Sequence, residues 1–217
     1  PSWTVIRPPS LLRIRSAFLP LLGHDRAGDS PQAQADSQPL RAELFSAEQL
    51  QRHAKMLASQ HRLDPKHGPN RLLARLAENE QVLIQAYELV TEADARGWRV
   101  ALAAEWLLDN FYLIEQQIRM ARTHLPRTYS RELPRLLTGA MAGYPRVYDI
   151  ALELIAHADG RVDAENLGLF VAAYQSVTPL TLGELWAVPI MLRLALIENL
   201  RRVAADIARR GRQRNLA

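Results

Sequence analysis

From Arg41 nearly to the end of the chain, apolar residues recur three and four positions apart, the spacing of helices that bury one side. "FSAEQL" opens the first helix. Ser46 is placed as N-cap, Gln49 completes a capping box, and Phe45 and Leu50 stand where a hydrophobic staple would, which predicts a helix over about 47–61. Pro69 suits the first turn of a second helix and Gly97 its left-handed end; between them Leu72, Leu73, Leu76, Leu83, Ala86, Tyr87 and Val90 keep one stripe. A third helix is predicted from about Arg99 to His124, stopped by Pro126, and "RELPRLL" reads as a short, proline-interrupted turn of helix. Pro145 starts a fourth long helix ending near His157, with Val147, Ile150, Ala151, Leu154 and Ile155 as its core stripe. Asp163 or Ala164 begins another, which ends before Thr178. No run combines period-two alternation with β-branched enrichment, so strands are not expected. The sum is an all-α fold, a single bundle of about seven helices over residues 41–217. Residues 24–40 are rich in Gln, Asp, Ser, Pro and Ala and read as a linker, so residues 1–40 are expected to form an extended, flexible N-terminal tail.

The last predicted helix lies in the most apolar stretch, "TPLTLGELWAVPIMLRLALIENLRR", residues 178–202. Thr181 and Glu184 fit a capping box with Leu180 and Leu185 as the staple, which gives the glutamate a structural task. Trp186, Val188, Ile190, Leu192, Leu194, Leu196 and Ile197 cover every side, the pattern of a central buried helix. Only eight uncharged residues, 185–192, separate Glu184 from Arg193. A membrane span needs about 20 predominantly apolar residues, so no transmembrane segment is expected. The N-terminal stretch, broken by Arg13, Arg15 and Pro20, lacks the continuous apolar region of a signal peptide. Buried charges need partners, and Arg193 is expected to pair with Glu105 or Asp109 from the preceding tryptophan-bearing helix.

Of the 217 residues 48% are hydrophobic and 23% charged, the balance of a chain that folds around its own core. The absence of cysteine excludes disulfides, thiol nucleophiles and thiolate metal sites. Histidines stand at 24, 53, 61, 67, 124 and 157, with no i, i+4 pair of histidines on a helix and no HExxH, so neither a metal site nor a cofactor is expected. Gly-rich phosphate loops and GxSxG elbows are missing from the sequence, and "DGRVD" at 159–163 departs from a calcium loop. The net charge of +4 rests on arginine, since Lys55 and Lys66 are the only lysines. Arg201, Arg202, Arg209, Arg210, Arg212 and Arg214, against only Asp206, invite a nucleic-acid or anionic-lipid reading. No aromatic residues are interleaved with them, and cations are favoured at a helix C-terminus, so nucleic acid is not an expected partner.

Candidate contacts with a ligand or partner centre on "AEWLLDNFYLIEQQIR", residues 104–119. Glu105 and Asp109 stand one helical turn apart with Trp106 and Asn110 beside them, an arrangement that suits acid–base chemistry near a sugar platform. A glycosidase pair lies across a cleft rather than along one helix turn, so no catalytic residue is assigned and pairing with arginines such as Arg146 or Arg193 is preferred. Arg146 and Tyr148 could recognise a ligand, although residues at a helix start more often fix the loop and pair with a buried acid. Trp186 and Arg193 complete the set.

Three stretches together carry a resemblance: "AEWLLDNFYLIEQQIR", "GYPRVYDIALELIAHADGRVD" and "AYQSVTPLTLGELWAVPIMLRLALIENLRR". They resemble the N-terminal helical region of bacterial cyclic β-1,2-glucan synthases, over roughly residues 40–205. The resemblance implies a much longer membrane enzyme, which polymerises glucose from UDP-glucose and cyclises the product with a C-terminal glycoside-phosphorylase-like domain. No Q-x-x-R-W element of such glycosyltransferases occurs here, so no catalytic residue carries over. What it implies for this chain is a non-catalytic accessory domain on the cytoplasmic side of the bacterial inner membrane. Its expected partners are the remaining domains of the synthase and β-1,2-glucan; the alternative is a stand-alone helical binding module for glucan, a protein partner or an anionic polymer.

Overall fold

The computed structural model describes residues 45–64, 71–98, 100–125, 131–158 and 163–215, with side chains as far as residue 211. Six helices occur among the described residues: α1 Ala47–Gln60, α2 Arg71–Ala95, α3 Leu102–His124, α4 Arg146–His157, α5 Ala164–Gln175 and α6 Leu182–Asn215. The expected all-α fold is therefore observed. The expectations for the tail at 1–40, for Arg99 and for the prolines at 69 and 126 lie outside the described residues.

Local chemistry sets the helix ends. The Ser46 hydroxyl accepts from the Gln49 N–H at 3.3 Å and the Gln49 side chain accepts from the Ser46 N–H at 2.8 Å, the reciprocal capping box expected for α1. Asp163 caps α5 by accepting the Asn166 N–H at 2.7 Å. Gly97 closes α2 at φ +70°, where a side chain would be strained. Pro145 precedes α4 as its N-cap, with a φ of −57° that proline supplies without cost.

One expectation fails in a small way. Leu63–Asp64 (β1) and Arg135–Leu136 (β2) pair antiparallel, Leu63 opposite Leu136 and Asp64 opposite Arg135. The second strand of this clasp lies within "RELPRLL", where a short turn of helix is expected from the sequence. Two residues per strand are too few to leave an alternating pattern, and the pairing satisfies loop backbone rather than building a sheet face.

Two hydrophobic cores share α4. One joins residues from α2, α3, α4 and α6, among them Leu72, Leu83, Leu107, Ile118, Val147, Ile155, Met191 and Leu194. The other joins α1 and α5 to α4 through Leu50, Leu57, Ile150, Leu154, Phe170 and Tyr174. All five residues of the expected α4 stripe are buried, split between the two cores. At the far end of α1, His61 joins both neighbours, with Nδ1 at 2.8 Å from the Tyr174 hydroxyl and Nε2 at 2.9 Å from Asp149 Oδ2.

Midway along α6 the buried charge of Glu198 is met by three arginines. Arg75 of α2 donates Nε to Oε2 at 2.9 Å and Nη2 to Oε1 at 2.7 Å; Arg201 Nη2 and Arg202 Nε donate to Oε1 at 2.6 and 3.1 Å. Burial alone would raise this carboxyl, but the Arg75 hydrogen bonds and the charges of Arg201 and Arg75 overcome it and hold the pKa at about 2. A pKa depressed from an ordinary 4.5 contributes stability that is present above the unfolded value and is lost as pH falls through the folded one. Stability should therefore drop by about 3 kcal/mol between about pH 5 and pH 2 from this group. Urea midpoints measured across that range should show the decline, and Glu198→Gln should flatten it while costing about 3–5 kcal/mol near neutral pH. An unchanged acid limb in the variant would assign the decline to other carboxyls.

Candidate functional site

The structure divides the sequence candidates into a buried pair and an exposed strip. Arg146 and Tyr148 are each 2% exposed, so neither can act as a surface platform. Both point inward because α4 is covered on both sides. Arg146 donates Nε to Glu184 Oε1 at 2.5 Å and Nη2 to Glu184 Oε2 at 2.8 Å, and Nη2 also reaches the Pro179 carbonyl at 2.8 Å. Burial pulls the guanidinium pKa down, but the Glu184 hydrogen bonds and charge outweigh it and leave it raised. The same carboxylate caps α6: Oε2 accepts the Thr181 N–H at 2.8 Å and the Thr181 hydroxyl at 3.0 Å, while the Thr181 oxygen accepts the Glu184 N–H at 3.3 Å. The expected capping box is thus present, and the buried acid that Arg146 meets is Glu184 rather than Glu105 or Asp109 of α3. Tyr148 packs in the larger core, where burial pushes its hydroxyl pKa up.

The pairing expected of Arg193 is not observed. Arg193 is half-buried and no ion pair joins it to Glu105 or Asp109, both of which are exposed on α3. The reason is its position on α6. Leu182, Trp186, Pro189, Arg193 and Leu196 follow one another at three- and four-residue steps and so share one face. That face is uncovered: Leu182 is 65% exposed, Trp186 73% and Leu196 41%. The expectation that Trp186 and Leu196 would be buried is corrected by the same fact, because α2, α3 and α4 pack on the other sides of α6. Arg193 on this strip reaches water without an ion-pair partner among the described residues.

Further along, the strip continues through Leu200, Val203 and Ile207, which with Ala103, Trp106, Leu107 and Ala204 line a shallow cavity of about 160 Å³. Trp106 is 51% exposed at its rim and Leu102, one turn before it, 83%. Asn110 turns back to its own helix and donates Nδ2 to the Trp106 carbonyl at 2.8 Å. Glu105 and Asp109 remain on the exposed side of α3 with no ion pair among the described residues, so nothing gathers them into an acid–base site. Two tryptophans and a run of leucines thus lie exposed along α6 and the start of α3, with the half-buried Arg193 among them.

The arginine-rich end of α6 is largely neutralised. Arg201 and Arg202 serve Glu198, and Arg209 and Arg210 pair with Asp206 at 3.1 and 2.7 Å. The side chains of residues 212 and 214 lie outside the described residues. Among the described residues no helix is long and apolar enough to cross a membrane.

Sequence reasoning missed one cluster. His53 of α1 meets Glu153 and His157 of α4, with His53 Nε2 at 2.8 Å and His157 Nε2 at 3.6 Å from Glu153 Oε2. The only local signal was the i, i+4 spacing of Glu153 and His157; His53 comes from far upstream.

No family model matches the chain. The chain is 35% identical over 177 residues to the cyclic beta-(1,2)-glucan synthase NdvB of Rhizobium meliloti (strain 1021). That stretch takes in 81% of this chain and 6% of the relative, so the chain spans a small part of that protein's length. The resemblance read from the sequence is thereby shown.

The two classes of candidate should separate in a stability measurement. Arg146→Met, which leaves Glu184 buried without its cation, should lower the unfolding free energy by about 3–5 kcal/mol. Trp186→Ser should change it by no more than about 0.5 kcal/mol, as an exposed substitution does. Chemical denaturation of both variants checks this, and a large loss in Trp186→Ser would mean that the face is covered.

Proposed function

We propose that this chain, similar to part of a cyclic β-1,2-glucan synthase, is a non-catalytic helical domain that docks on and supports the rest of such an enzyme. The observation that carries this reading is the exposed face of α6. Apolar groups in contiguous exposure mark sites of association, and tryptophan and arginine are the residues enriched where such surfaces bind. Leu182, Trp186 and Leu196 offer the apolar contact, and Arg193 offers one cation whose hydrogen-bonding capacity awaits an acceptor on the partner. The partner surface that fits is apolar with a carboxylate or carbonyl near its centre. No titratable cluster lies on this strip to perform glucosyl transfer. The domain belongs with the cytoplasmic parts of the synthase, which would polymerise glucose from UDP-glucose, releasing UDP, elsewhere in its length.

A second reading has its own support. Trp106 and Trp186 are both exposed, and tryptophan faces stack on sugar rings, so the strip could hold β-1,2-glucan while the enzyme elongates it.

Two measurements on the isolated chain separate the readings. The purified chain should transfer no glucose from UDP-glucose and should bind a synthase lacking this segment, with Leu182→Ser/Trp186→Asp weakening that binding at least tenfold. Glucosyl transfer by the isolated chain, or association untouched by the double variant, would overturn the docking reading. Calorimetric heat with linear β-1,2-glucan that vanishes in Trp186→Ala would favour the glucan reading instead.

A further inference from the structure

His53, Glu153 and His157 lie away from the exposed face of α6 and have no part in the docking reading. They come from two helices, α1 and α4, and their ligand atoms all lie within 4.8 Å of one another. Their placement is supported from outside. The Phe45 ring stacks on His157 at 3.8 Å between centroids with 11° between planes and meets His53 edge-on at 5.4 Å. The Phe45 N–H also donates to the His157 carbonyl at 3.3 Å. Both imidazoles are largely withdrawn from water, with side chains 13% and 10% exposed, whereas the Glu153 side chain is 35% exposed and leaves one side of the cluster open.

We propose that His53, Glu153 and His157 bind a divalent transition-metal ion of the zinc class, clipping α1 to α4. Two imidazole nitrogens and one carboxylate oxygen are a ligand set that suits zinc, and three protein ligands with water in a fourth position are a familiar arrangement for it. Tetrahedral ligands about 2.0–2.1 Å from zinc stand roughly 3.3–3.5 Å apart. The present contacts of 2.8 and 3.6 Å straddle that spacing, and small side-chain rotations would bring all three ligands onto the ion. Water enters from the Glu153 side. The site joins α1, which bears Leu50, to the helix shared by both cores, so an occupied site would resist separation of α1 from the bundle.

The whole chain, stripped of metal, should be titrated near neutral pH with cobalt(II) chloride and with zinc chloride. One equivalent of cobalt should produce the strong visible absorption of a four-coordinate ion, zinc should displace it, and zinc should raise the thermal midpoint. His53→Gln and Glu153→Gln should each lower affinity at least tenfold, whereas His124→Gln should not change it. Glu153→Gln replaces the most exposed ligand and keeps the test open if His53→Gln does not fold. Acidification to about pH 5, where protons compete for imidazole, should release the metal. Absence of saturable cobalt absorption, or binding that survives in His53→Gln and is lost in His124→Gln, would overturn the proposal.

Discussion

The buried contact between Arg146 and Glu184 fixes how the two cores meet. Arg146 begins α4, the helix that serves both cores, and Glu184 begins α6, the longest helix of the larger one. A bidentate arginine–carboxylate pair has a set geometry, so the start of one helix is registered against the start of the other. Taking both charges out of water is costly, and the cost is offset only because every oxygen of Glu184 has a donor: Arg146, the Thr181 backbone and the Thr181 hydroxyl. The pair therefore specifies the arrangement more than it adds to net stability. Glu198 and Arg75 repeat the device farther along α6, joining it to α2.

Held at these two points, α6 presents a defined side to solvent. The helices around it cover Ala187, Met191, Leu194 and Ala195 and leave Leu182, Trp186, Pro189 and Leu196 open. A rigid helix carrying an apolar strip needs little ordering when it associates, which lowers the entropic cost of docking. The fold thus prepares a surface and contains no gathered catalytic groups along it, an economy consistent with a supporting part of a larger enzyme.

Much of this was legible in the residues. Ser46 with Gln49, Asp163 at α5 and Thr181 with Glu184 declared their helix starts because capping chemistry acts within four residues. Gly97 did the same for a helix end through its positive φ. Contacts between distant segments left weaker traces. Arg146 could be expected to seek a buried acid, yet Glu184, already engaged as a cap, did not look like that acid. The partner of Glu198 on α2 left no local trace, because Arg75 lies more than a hundred residues earlier. Trp186 and Leu196 were expected inside because α6 is apolar on every side, and periodicity cannot say which side of such a helix stays uncovered. The neighbours decide that, and Arg193 followed the tryptophan to the open side. His53 met Glu153 and His157 for the same reason, through packing rather than spacing.

The central claim is that the open side of α6 is covered by another part of a glucan synthase. A photo-reactive amino acid placed at position 186 of the intact parent enzyme tests it directly. The account predicts an efficient cross-link within the same polypeptide to a segment outside this chain, and none when the isolated chain is irradiated. Equal labelling by solvent in both settings, or a cross-link that forms only to glucan, would contradict it.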